Sequence, residues 1–379
     1  MKFIHIADLH IGKRINGYSM LDDQEYILNK IIDIADTEKT DAVLIAGDIY
    51  DKALPPSDAV RLFDDFIYKL SKRNTKVFII SGNHDSCERI AFGSRIMKSS
   101  GIYISPVYDG KISPIKLTDE FGDINIWMIP FVKPANVRVF FTDEDINTYT
   151  EALKKVIDSM SIDKTQRNIL AVHQFVTGAD RTESEEISVG GTDNVDVSVF
   201  EDFDYVALGH IHRAQKCTWD KVRYSGTPLK YSFSEAKDIK SVTCVEITEK
   251  DSLNIKTIPL TPKRDMVEIK GKYDDIILRD FYKNTTYTED YIHITLTDEE
   301  DIPDAIMKLR TVYHNLMKLS YDNMRTRSTN IIEADTEIEK KSPIDLFGNF
   351  YKLQNNQPMS DKQKHFIEKL IADIWEGEK

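Results

Sequence analysis

The sequence has few cysteines and no long apolar segment, and both absences narrow what it can be. Cys87, Cys217 and Cys244 form no CxxC pair and no even set, which excludes a disulfide framework and sets aside thiolate zinc sites. No apolar run approaches the roughly 20 residues that a membrane helix needs. The N-terminal MKFIHIAD runs straight into a predicted strand, without a cleavable signal. We therefore expect no membrane association and a cytoplasmic location.

The sequence also lacks an excess of positive charge. Its net charge is −13, and neither the first 260 residues nor the remainder has an excess of Lys and Arg. This argues against a tight, free-standing binder of nucleic acid, because such binders neutralise phosphates with basic side chains. Attraction for phosphate must then be local, supplied by metal ions and a few Lys and Arg. An enzyme that cuts a phosphodiester remains compatible with this charge.

The first 260 residues repeat one pattern, a short run rich in Ile and Val that stops at a polar residue. Such runs predict strands buried on both faces, and amphipathic patterns at 58–71 and 146–160 predict helices between them. The alternation predicts an α/β fold, in which functional sites gather at the carboxyl ends of strands. The runs end at Asp8 in FIHIAD, Asp48 in AVLIAGD, Asn83 in VFIISGNHD, His173 in NILAVH and His210 in YVALGH.

Near residue 260 the pattern changes, and a chain of 379 residues is expected to form two or three domains. Apolar runs at 266–271 and 291–296 predict two strands of a small α+β domain over 265–335. A charged linker is predicted at 333–342, followed by short amphipathic helices at 343–351 and 361–375. One further helix is predicted from a stripe made of Ile306, Leu309, Val312, Leu316 and Leu319.

Seven residues at the predicted strand ends have the chemistry of metal ligands. Carboxylates, an amide oxygen and neutral imidazoles, without a thiolate, suit manganese, iron or zinc. Seven ligands are too many for one ion but suffice for two, about 3.5–4 Å apart, if one carboxylate bridges them. The seven are Asp8, His10, Asp48, Asn83, His173, His210 and His212.

The spacing of these ligands suggests how two ions share them. Asp48 is the best bridge, because it ends a central-looking strand between the two ligand groups. In a strand, residues two apart point the same way, so Asp8 and His10 can serve one ion. His210 and His212 likewise share a face, unless the chain turns there and sends them to neighbouring ions.

Two such ions suit phosphoryl transfer, because they lower the pKa of a water and neutralise charge on phosphate oxygens. His84 is placed to reach substrate, and we assign it to protonating the leaving oxygen or stabilising the transition state, with Asp85 fixing its tautomer or the loop. Arg89 and Arg213 are the candidates for phosphate contacts. Any one of these motifs alone is usually an ordinary polar residue, and the five in order are what predicts a metal centre.

These motifs resemble the signature of the calcineurin-like metallophosphoesterases, which is D-x-H, GD, GNH[DE], H and GHxH. Longer stretches over residues 1–262 are similar to SbcD-type nuclease subunits of bacterial complexes. The resemblance implies an α/β fold, a β-sandwich flanked by helices, with a small α+β capping domain and C-terminal helices. The stretches are HIADLHIGK, GDIYDKALPPSDA, SGNHDS, YVALGHIHRAQ and YSGTPLKYSFSEAKDIKSV.

The resemblance also implies a mechanism, with two manganese ions and His84 as the catalytic histidine. The implied activity is a 3′ to 5′ exonuclease on duplex DNA and an endonuclease on single strands and hairpins, in DNA repair and recombination at the nucleoid. One implied ion is held by Asp8, His10, Asp48 and His212, and the second by Asp48, Asn83, His173 and His210.

The implied partners are a second copy of the chain and an ATPase. The family forms a homodimer through helices of the phosphoesterase domain, which is implied over 1–262. It has a DNA-facing capping domain, which matches 265–335. Its C-terminal helices, here 343–379, dock on the coiled coil of an SbcC-type ATPase. A C-terminal segment that packs on itself is the alternative. If the ATPase supplies much of the affinity for DNA, the negative net charge of this chain is compatible with a nuclease subunit.

Two rival functions stay in view. The same two-metal core could serve a phosphatase or a small-molecule phosphodiesterase, although a compact phosphatase needs neither the capping region nor the C-terminal helices. A non-catalytic scaffold predicts missing ligands, whereas every ligand position is filled in this sequence.

Overall fold

The computed structural model describes residues 1–143, 145–185, 194–329, 343–355 and 357–376. The predicted linker at 333–342 lies outside these residues. The chain divides into two compact units, Met1–Asp265 and Met266–Lys379. Among the described residues, no helix combines the length and the apolar character needed to cross a membrane.

The first unit contains two six-stranded mixed sheets. In the first sheet, the N-terminal strand Lys2–Ile6 pairs in parallel with Ala42–Ala46 and antiparallel with Ser241–Ile247. Strands far apart in the sequence thus lie side by side, and the carboxyl ends of the parallel ones meet at one edge. In order across the sheet, the strands are Leu253–Pro259, Ser241–Ile247, Lys2–Ile6, Ala42–Ala46, Lys76–Ile80 and Ile102–Ile104.

The second sheet has the strand Arg167–His173 near its centre. This strand is buried along its whole length and pairs in parallel with Tyr205–Gly209 and with Gly122–Ile129. The runs that end at His173 and His210 are therefore neighbours. In order across the sheet, the strands are Gln215–Cys217, Trp219–Tyr224, Tyr205–Gly209, Arg167–His173, Gly122–Ile129 and Ile115–Asp119.

An apolar core lies between the inner faces of the two sheets. Phe3, Leu44 and Phe78 from the first sheet and Ile126 and Ile169 from the second belong to one buried cluster. Burial of such a side chain contributes roughly 1.5–3 kcal/mol. The two sheets are thereby fixed against each other, and the loops at their carboxyl edges are held in one place.

Helices cover the outer faces of the sandwich, as the sequence predicts. Ser57–Ser71 packs on Leu21–Glu38 and on the strand Lys76–Ile80. The helix predicted at 146–160 is confirmed as Tyr149–Asp158. It starts later than predicted because the hydroxyl of Thr148 accepts a hydrogen bond from a backbone N–H of the first turn, as an N-cap does.

The remaining elements of the first unit are short and lie in the connections. The short helices are Cys87–Ile90, Ser94–Met97, Lys98–Ser100, Pro134–Arg138, Val197–Phe200 and Phe233–Glu235, and the short strands are Arg14–Ile15, Tyr18–Ser19, Phe175–Val176 and Asn194–Val195.

The second unit contains a three-stranded parallel sheet, Met266–Gly271, Tyr291–Leu296 and Leu316–Tyr321. The first two strands confirm the prediction at 266–271 and 291–296. The strands are parallel and alternate with helices, which is the α/β arrangement and not the α+β one that the sequence predicts. Its helices are Tyr273–Ile276, Arg279–Tyr282, Ala305–Arg310, Met324–Thr329, Pro343–Asn355 and Asp361–Glu376.

The prediction of a long helix from the stripe between Ile306 and Leu319 is wrong. The helix ends at Arg310, and Leu316 and Leu319 lie on the third strand, in register with the strand Tyr291–Leu296. Apolar residues three and four apart fit a helix, but the sheet leaves an edge whose backbone N–H and C=O groups need partners. Pairing along that edge outweighs the helical spacing.

Candidate metal centre

Four of the seven candidate ligands have a left-handed backbone just beyond a strand. The φ angles are 54° at Asp8, 45° at His10, 50° at Asp48 and 106° at His210. The strand predicted to align Asp8 with His10 ends at Ile6, so the alternation of side chains along a strand is not what brings them together. Left-handed residues other than glycine are uncommon and concentrate at functional sites.

Two buried side chains hold the loop that carries His10. The side-chain N–H of Gln24 donates to the carbonyl oxygen of His10 at 2.8 Å, and its carbonyl oxygen accepts from the backbone N–H of Gly12 at 3.0 Å. The hydroxyl of Tyr231 donates to the carbonyl oxygen of Leu9 at 2.5 Å. Neither side chain was predicted to support the site, and the one signal for Gln24 is its place on the buried face of a helix.

A first group of candidate ligands consists of Asp8, His10 and His212. One ligand atom from each lies within 4.8 Å of the other two, and all three residues are buried. The Nε2 atoms of His10 and His212 are 3.2 Å apart. Both carboxylate oxygens of Asp8 accept from the backbone N–H of His210, at 2.9 and 3.2 Å, so the GHIH segment is fixed against the first strand's loop.

A second group of candidate ligands meets at the side-chain oxygen of Asn83. This Oδ1 lies 3.0 Å from Nε2 of His173 and 3.0 Å from Nδ1 of His210. The other ring nitrogen of His173, Nδ1, contacts the carbonyl oxygen of Ala46 at 2.8 Å. Since a carbonyl only accepts, Nδ1 carries the proton, and Nε2 of the neutral ring presents a lone pair to the site.

The two histidines of the GHIH segment therefore face different groups. His210 contacts Asn83, whereas His212 contacts His10. Of the two alternatives drawn from the sequence, the geometry agrees with a chain that turns between these histidines and sends them to neighbouring positions.

Asp48 lies between the two groups. Its Oδ2 atom is 3.4 Å from Nε2 of His173 and 3.7 Å from Nε2 of His10. Gly82 packs so closely on Asp48 that a Cβ at this position would overlap the carboxylate, so Gly82 is needed for space. Gly47, with φ of 87°, is needed for its backbone conformation as well. This placement supports the bridging role assigned to Asp48.

The electrostatics of the buried rings suit metal ligation. Burial lowers the pKa of His10 and of His210 to about 3, and that of His212 well below its usual value, so all three are neutral and have a lone pair. Burial also disfavours charge on His173, but the neighbouring carboxylate of Asp48 outweighs it and raises the pKa to about 9. The proton of His173 thus balances the negative charge of Asp48. A bound divalent ion would take over this role and release the proton.

The donor set fits two divalent ions. Asp8, His10 and His212 supply one side, Asn83, His173 and His210 the other, and Asp48 is within reach of both. All are oxygen and imidazole ligands, which suit manganese, iron or zinc and exclude sites built on thiolates.

His84 lies beside the ligands at the solvent side. Its Nδ1 donates to the carbonyl oxygen of Asp51 at 3.1 Å, so its Nε2 is unprotonated in the neutral ring and lies 3.9 Å from Oδ2 of Asp48. With His10 and Asp48 it also satisfies the distances of a metal group. Its side chain is 17% exposed, against 1% for His10. This exposure agrees with a residue that reaches substrate.

The contacts of Asp85 favour one of the two roles predicted for it. Its carboxylate accepts hydrogen bonds from the backbone N–H groups of Ile49, Tyr50 and Gly82, at 3.0–3.1 Å. Burial, together with the charge of Asp48, raises its pKa to about 6. Asp85 therefore holds two ligand-bearing loops together, while the proton of His84 is placed by a backbone carbonyl.

The two arginines predicted to contact phosphate differ in their surroundings. Arg89 is exposed on the short helix Cys87–Ile90. The Nε–H of Arg213 donates to the carboxylate of Asp238 at 3.1 Å, so part of its guanidinium is engaged within the protein.

A third cation near the site was not predicted. The guanidinium carbon of Arg181 lies 3.6 Å from the ring centre of Phe175, and that ring is 6.4 Å from the ring of His210. Arg181 belongs to no motif, and only the fold brings it close to the ligands. Its stacked guanidinium is a further candidate for contact with a phosphate.

Comparisons with known proteins show which family the chain belongs to. The family model for calcineurin-like phosphoesterase matches residues 1–214, and that for the type 5 capsule protein repressor C-terminal domain matches residues 262–355. The D subunit of the SbcCD nuclease of Staphylococcus epidermidis is 34% identical over 383 residues, covering 100% of both chains. Its counterpart in Staphylococcus saprophyticus is 34% identical over 380 residues, covering 99% of both.

Among solved structures, a dimetal phosphatase from Danio rerio aligns with a TM-score of 0.45 and 13% identity, over 69% of this chain and 98% of that chain. The predicted fold class, a phosphoesterase sandwich with helices at the C-terminus, is confirmed. The chain belongs to the calcineurin-like phosphoesterases and, within them, to the family of the D subunit of the SbcCD nuclease.

Proposed function

We propose that this chain is a manganese-dependent DNA nuclease, a 3′ to 5′ exonuclease on duplex ends and an endonuclease on single strands and hairpins. One observation carries the proposal: two groups of oxygen and imidazole ligands, most of them buried, lie on either side of Asp48. When bound, two divalent ions lower the pKa of a water and neutralise charge on the phosphate oxygens. The family relationship points to a phosphodiester in DNA as the substrate.

The proposed ligand sets follow the two groups. Asp48 is shared because its carboxylate reaches histidines of both. The first ion would be held by Asp8, His10, Asp48 and His212, and the second by Asp48, Asn83, His173 and His210.

His84 is proposed to act on the substrate. The backbone carbonyl of Asp51 fixes its ring, and Nε2 faces the site. From there a protonated ring can stabilise charge on the phosphate or donate a proton to the leaving oxygen. Asp85 acts through the loop that carries His84 and its neighbour Asn83.

Phosphate contacts are assigned to Arg89, Arg213 and Arg181. Arg89 is exposed, and Arg181 is stacked beside His210. Three cations cannot offset a net charge of −13, so we assign most of the grip on DNA to a partner.

The nuclease and phosphatase alternatives are separated by their substrates. We expect the full-length chain with Mn²⁺ to cleave a labelled duplex or hairpin DNA and to turn over a chromogenic phosphate monoester slowly. The reason is the second unit, which a compact phosphatase does not need and which we assign to binding DNA and a partner. Both activities are measured on one preparation, with and without a chelator. Rapid hydrolysis of the monoester beside intact DNA would establish the phosphatase instead.

The C-terminal helices are proposed to bind the coiled coil of an SbcC-type ATPase. Pro343–Asn355 and Asp361–Glu376 expose the apolar side chains of Phe350, Phe366 and Leu370 to solvent. Exposed aromatic residues grouped in this way are typical of helix-binding surfaces. The proposed domains are accordingly a nuclease domain at 1–262, a capping domain at 265–335 and partner-binding helices at 343–379.

A charged residue on this apolar surface is expected to disrupt the complex. Phe366→Asp should lower ATPase binding in a pull-down at least 10-fold, since a buried aromatic anchor is worth about 2 kcal/mol or more, while DNA cleavage by the isolated subunit stays unchanged. Phe121→Asp, at an exposed phenylalanine of the first unit, is the matched control. Equal recovery of the ATPase by both variants would contradict the assignment.

A homodimer is proposed through the nuclease domain. The helix Ser57–Ser71 exposes Val60 and Tyr68, and the segment that follows the GNHD motif exposes Phe92 and Ile96. Apolar residues on these neighbouring parts of the chain support a protein–protein surface. The proposed location is the cytoplasm, in association with the nucleoid.

A further inference from the structure

A largely buried chain of hydrogen bonds leads from the proposed ligand His212 away from the proposed ions. The hydroxyl of Ser184 lies 2.6 Å from Nδ1 of His212 and 2.5 Å from Oε1 of Glu235. The other carboxylate oxygen of Glu235 accepts from the ammonium of Lys240 at 2.5 Å. Glu235 is fully buried and Lys240 almost so.

The direction of these hydrogen bonds fixes the proton of His212. A carboxylate only accepts, so the single hydroxyl proton of Ser184 is donated to Glu235. The serine oxygen must then accept from Nδ1–H of His212. With its proton on Nδ1, the neutral ring presents the lone pair of Nε2 to the ligand group that contains Asp8 and His10.

The same residues hold the backbone of His212. The ammonium of Lys240 donates to the carbonyl oxygen of His212 at 2.9 Å. The N–H of His212 donates to the carboxylate of Glu185 at 2.6 Å. One ligand is therefore held at its N–H, its carbonyl and its ring by side chains from two loops.

Stability alone does not account for this arrangement. Removing Glu235 and Lys240 from water costs several kcal/mol per ion, and a buried ion pair seldom repays that cost. A role at the metal centre explains the pair better, because an acceptor behind a ligating histidine orients the ring and makes the ligating nitrogen more basic.

We propose that Ser184, with the Glu235–Lys240 pair behind it, is a positioning residue that sets the affinity of one of the two metal ions. The inference rests on the two-ion centre of the proposed function. The ion concerned is the one held by Asp8, His10, Asp48 and His212. The second ion, on the side of Asn83 and His173, has no contact with this hydrogen-bond chain in the described part of the protein and keeps its affinity.

The test is a calorimetric titration of Mn²⁺ into the metal-free, full-length chain. Ser184→Ala is expected to weaken one of the two equivalents by about 10–100-fold, as loss of a partner behind a ligating histidine does, and to leave the other unchanged. Ser184→Thr, which keeps the hydroxyl, is expected to restore it. Glu235→Gln should weaken the same equivalent, since an amide is a poorer acceptor.

A matched control separates this role from general support of the loop. The hydroxyl of Ser234 accepts from the backbone N–H of Glu183 in the same loop and does not touch His212. Ser234→Ala should therefore keep both affinities. The electron paramagnetic resonance spectrum of coupled Mn²⁺ pairs, recorded at two equivalents, should be lost in Ser184→Ala and retained in Ser234→Ala.

Two results would overturn the inference while the two-ion function stands. One is wild-type affinity for both ions in Ser184→Ala and Glu235→Gln. The other is an equal loss of both ions together with a lower melting temperature of the metal-free protein, which would assign the network to the fold. A wild-type chain that binds no Mn²⁺ would instead overturn the proposed function, and this inference with it.

Discussion

Replacement of Asp48 by alanine is expected to abolish the binding of both metal ions and, with it, DNA cleavage. Oδ2 of Asp48 lies 3.4 Å from His173 and 3.7 Å from His10, one residue of each ligand group. Asp8 also lies near both groups, but its Oδ1 approaches His173 at Nδ1, 3.8 Å away, which donates to the carbonyl oxygen of Ala46 and is not the nitrogen that faces the site. Fewer than one equivalent of Mn²⁺ should remain in a metal assay after gel filtration.

A second buried carboxylate provides the control. Asp204 accepts from the backbone N–H of Asn168 at the start of the second sheet's central strands, outside the ligand groups. Asp204→Ala should lower the melting temperature but keep two equivalents of Mn²⁺. If Asp48→Ala also retained two equivalents, the bridging assignment would be wrong, and each ion would have its own complete ligand set.

Replacement of His84 by glutamine is expected to separate metal binding from catalysis. The imidazole lies beside both groups with its Nδ1 on the carbonyl of Asp51, while its backbone N–H donates to Asp48. The backbone contact survives the substitution, so two ions should still bind. Cleavage should fall by about 10²–10⁴-fold, which is the usual contribution of acid–base assistance.

His314→Gln, at an exposed histidine of the second unit, is the control for loss of an imidazole elsewhere. Single-turnover cleavage at saturating Mn²⁺ measures the effect on the chemical step. An unchanged rate in His84→Gln would remove this residue from the mechanism. A loss of one bound ion would show instead that His84 is a ligand, which the distances to His10 and Asp48 also permit.

Much of the sandwich follows from the sequence because its strands are short, apolar and sharply ended. Ala42–Ala46 is buried at every position, and a run of that kind has few alternatives to a central strand. The polar residue at its end marks the edge of the sheet. The candidate ligands could thus be grouped as a set before any distance was known.

The shape of the site could not be predicted in the same way. His10 and His212 are 202 residues apart in the chain, and no local pattern gives their separation in space. The left-handed backbone at Asp8 could not be predicted either. The apolar run continues past Ile6, the last residue of the strand, so the sequence does not mark where the strand ends. Contacts such as those of Ser184 depend on side chains that no motif connects.

The error in the second unit has a different cause. Leu316 and Leu319 have a spacing that fits a helix, and their strand has no clean alternation of buried and exposed residues. Only the unpaired edge of the neighbouring strand Tyr291–Leu296 decides between the two structures. The choice between helix and strand is therefore made by tertiary contacts, which override the local propensity of the sequence.

The left-handed backbone of the ligands has an evolutionary consequence. Each such residue costs of order 1–3 kcal/mol, and the residue types that tolerate it best, Asn, Asp and His, are also ligands for hard and intermediate metal ions. At Asp8, His10 and Asp48, conformation and chemistry therefore restrict the chain to the same few amino acids. A selection for thermal stability alone would favour glycine at these three positions and remove the candidate ligands, so we expect the proposed metal centre to persist only where metal binding is itself selected.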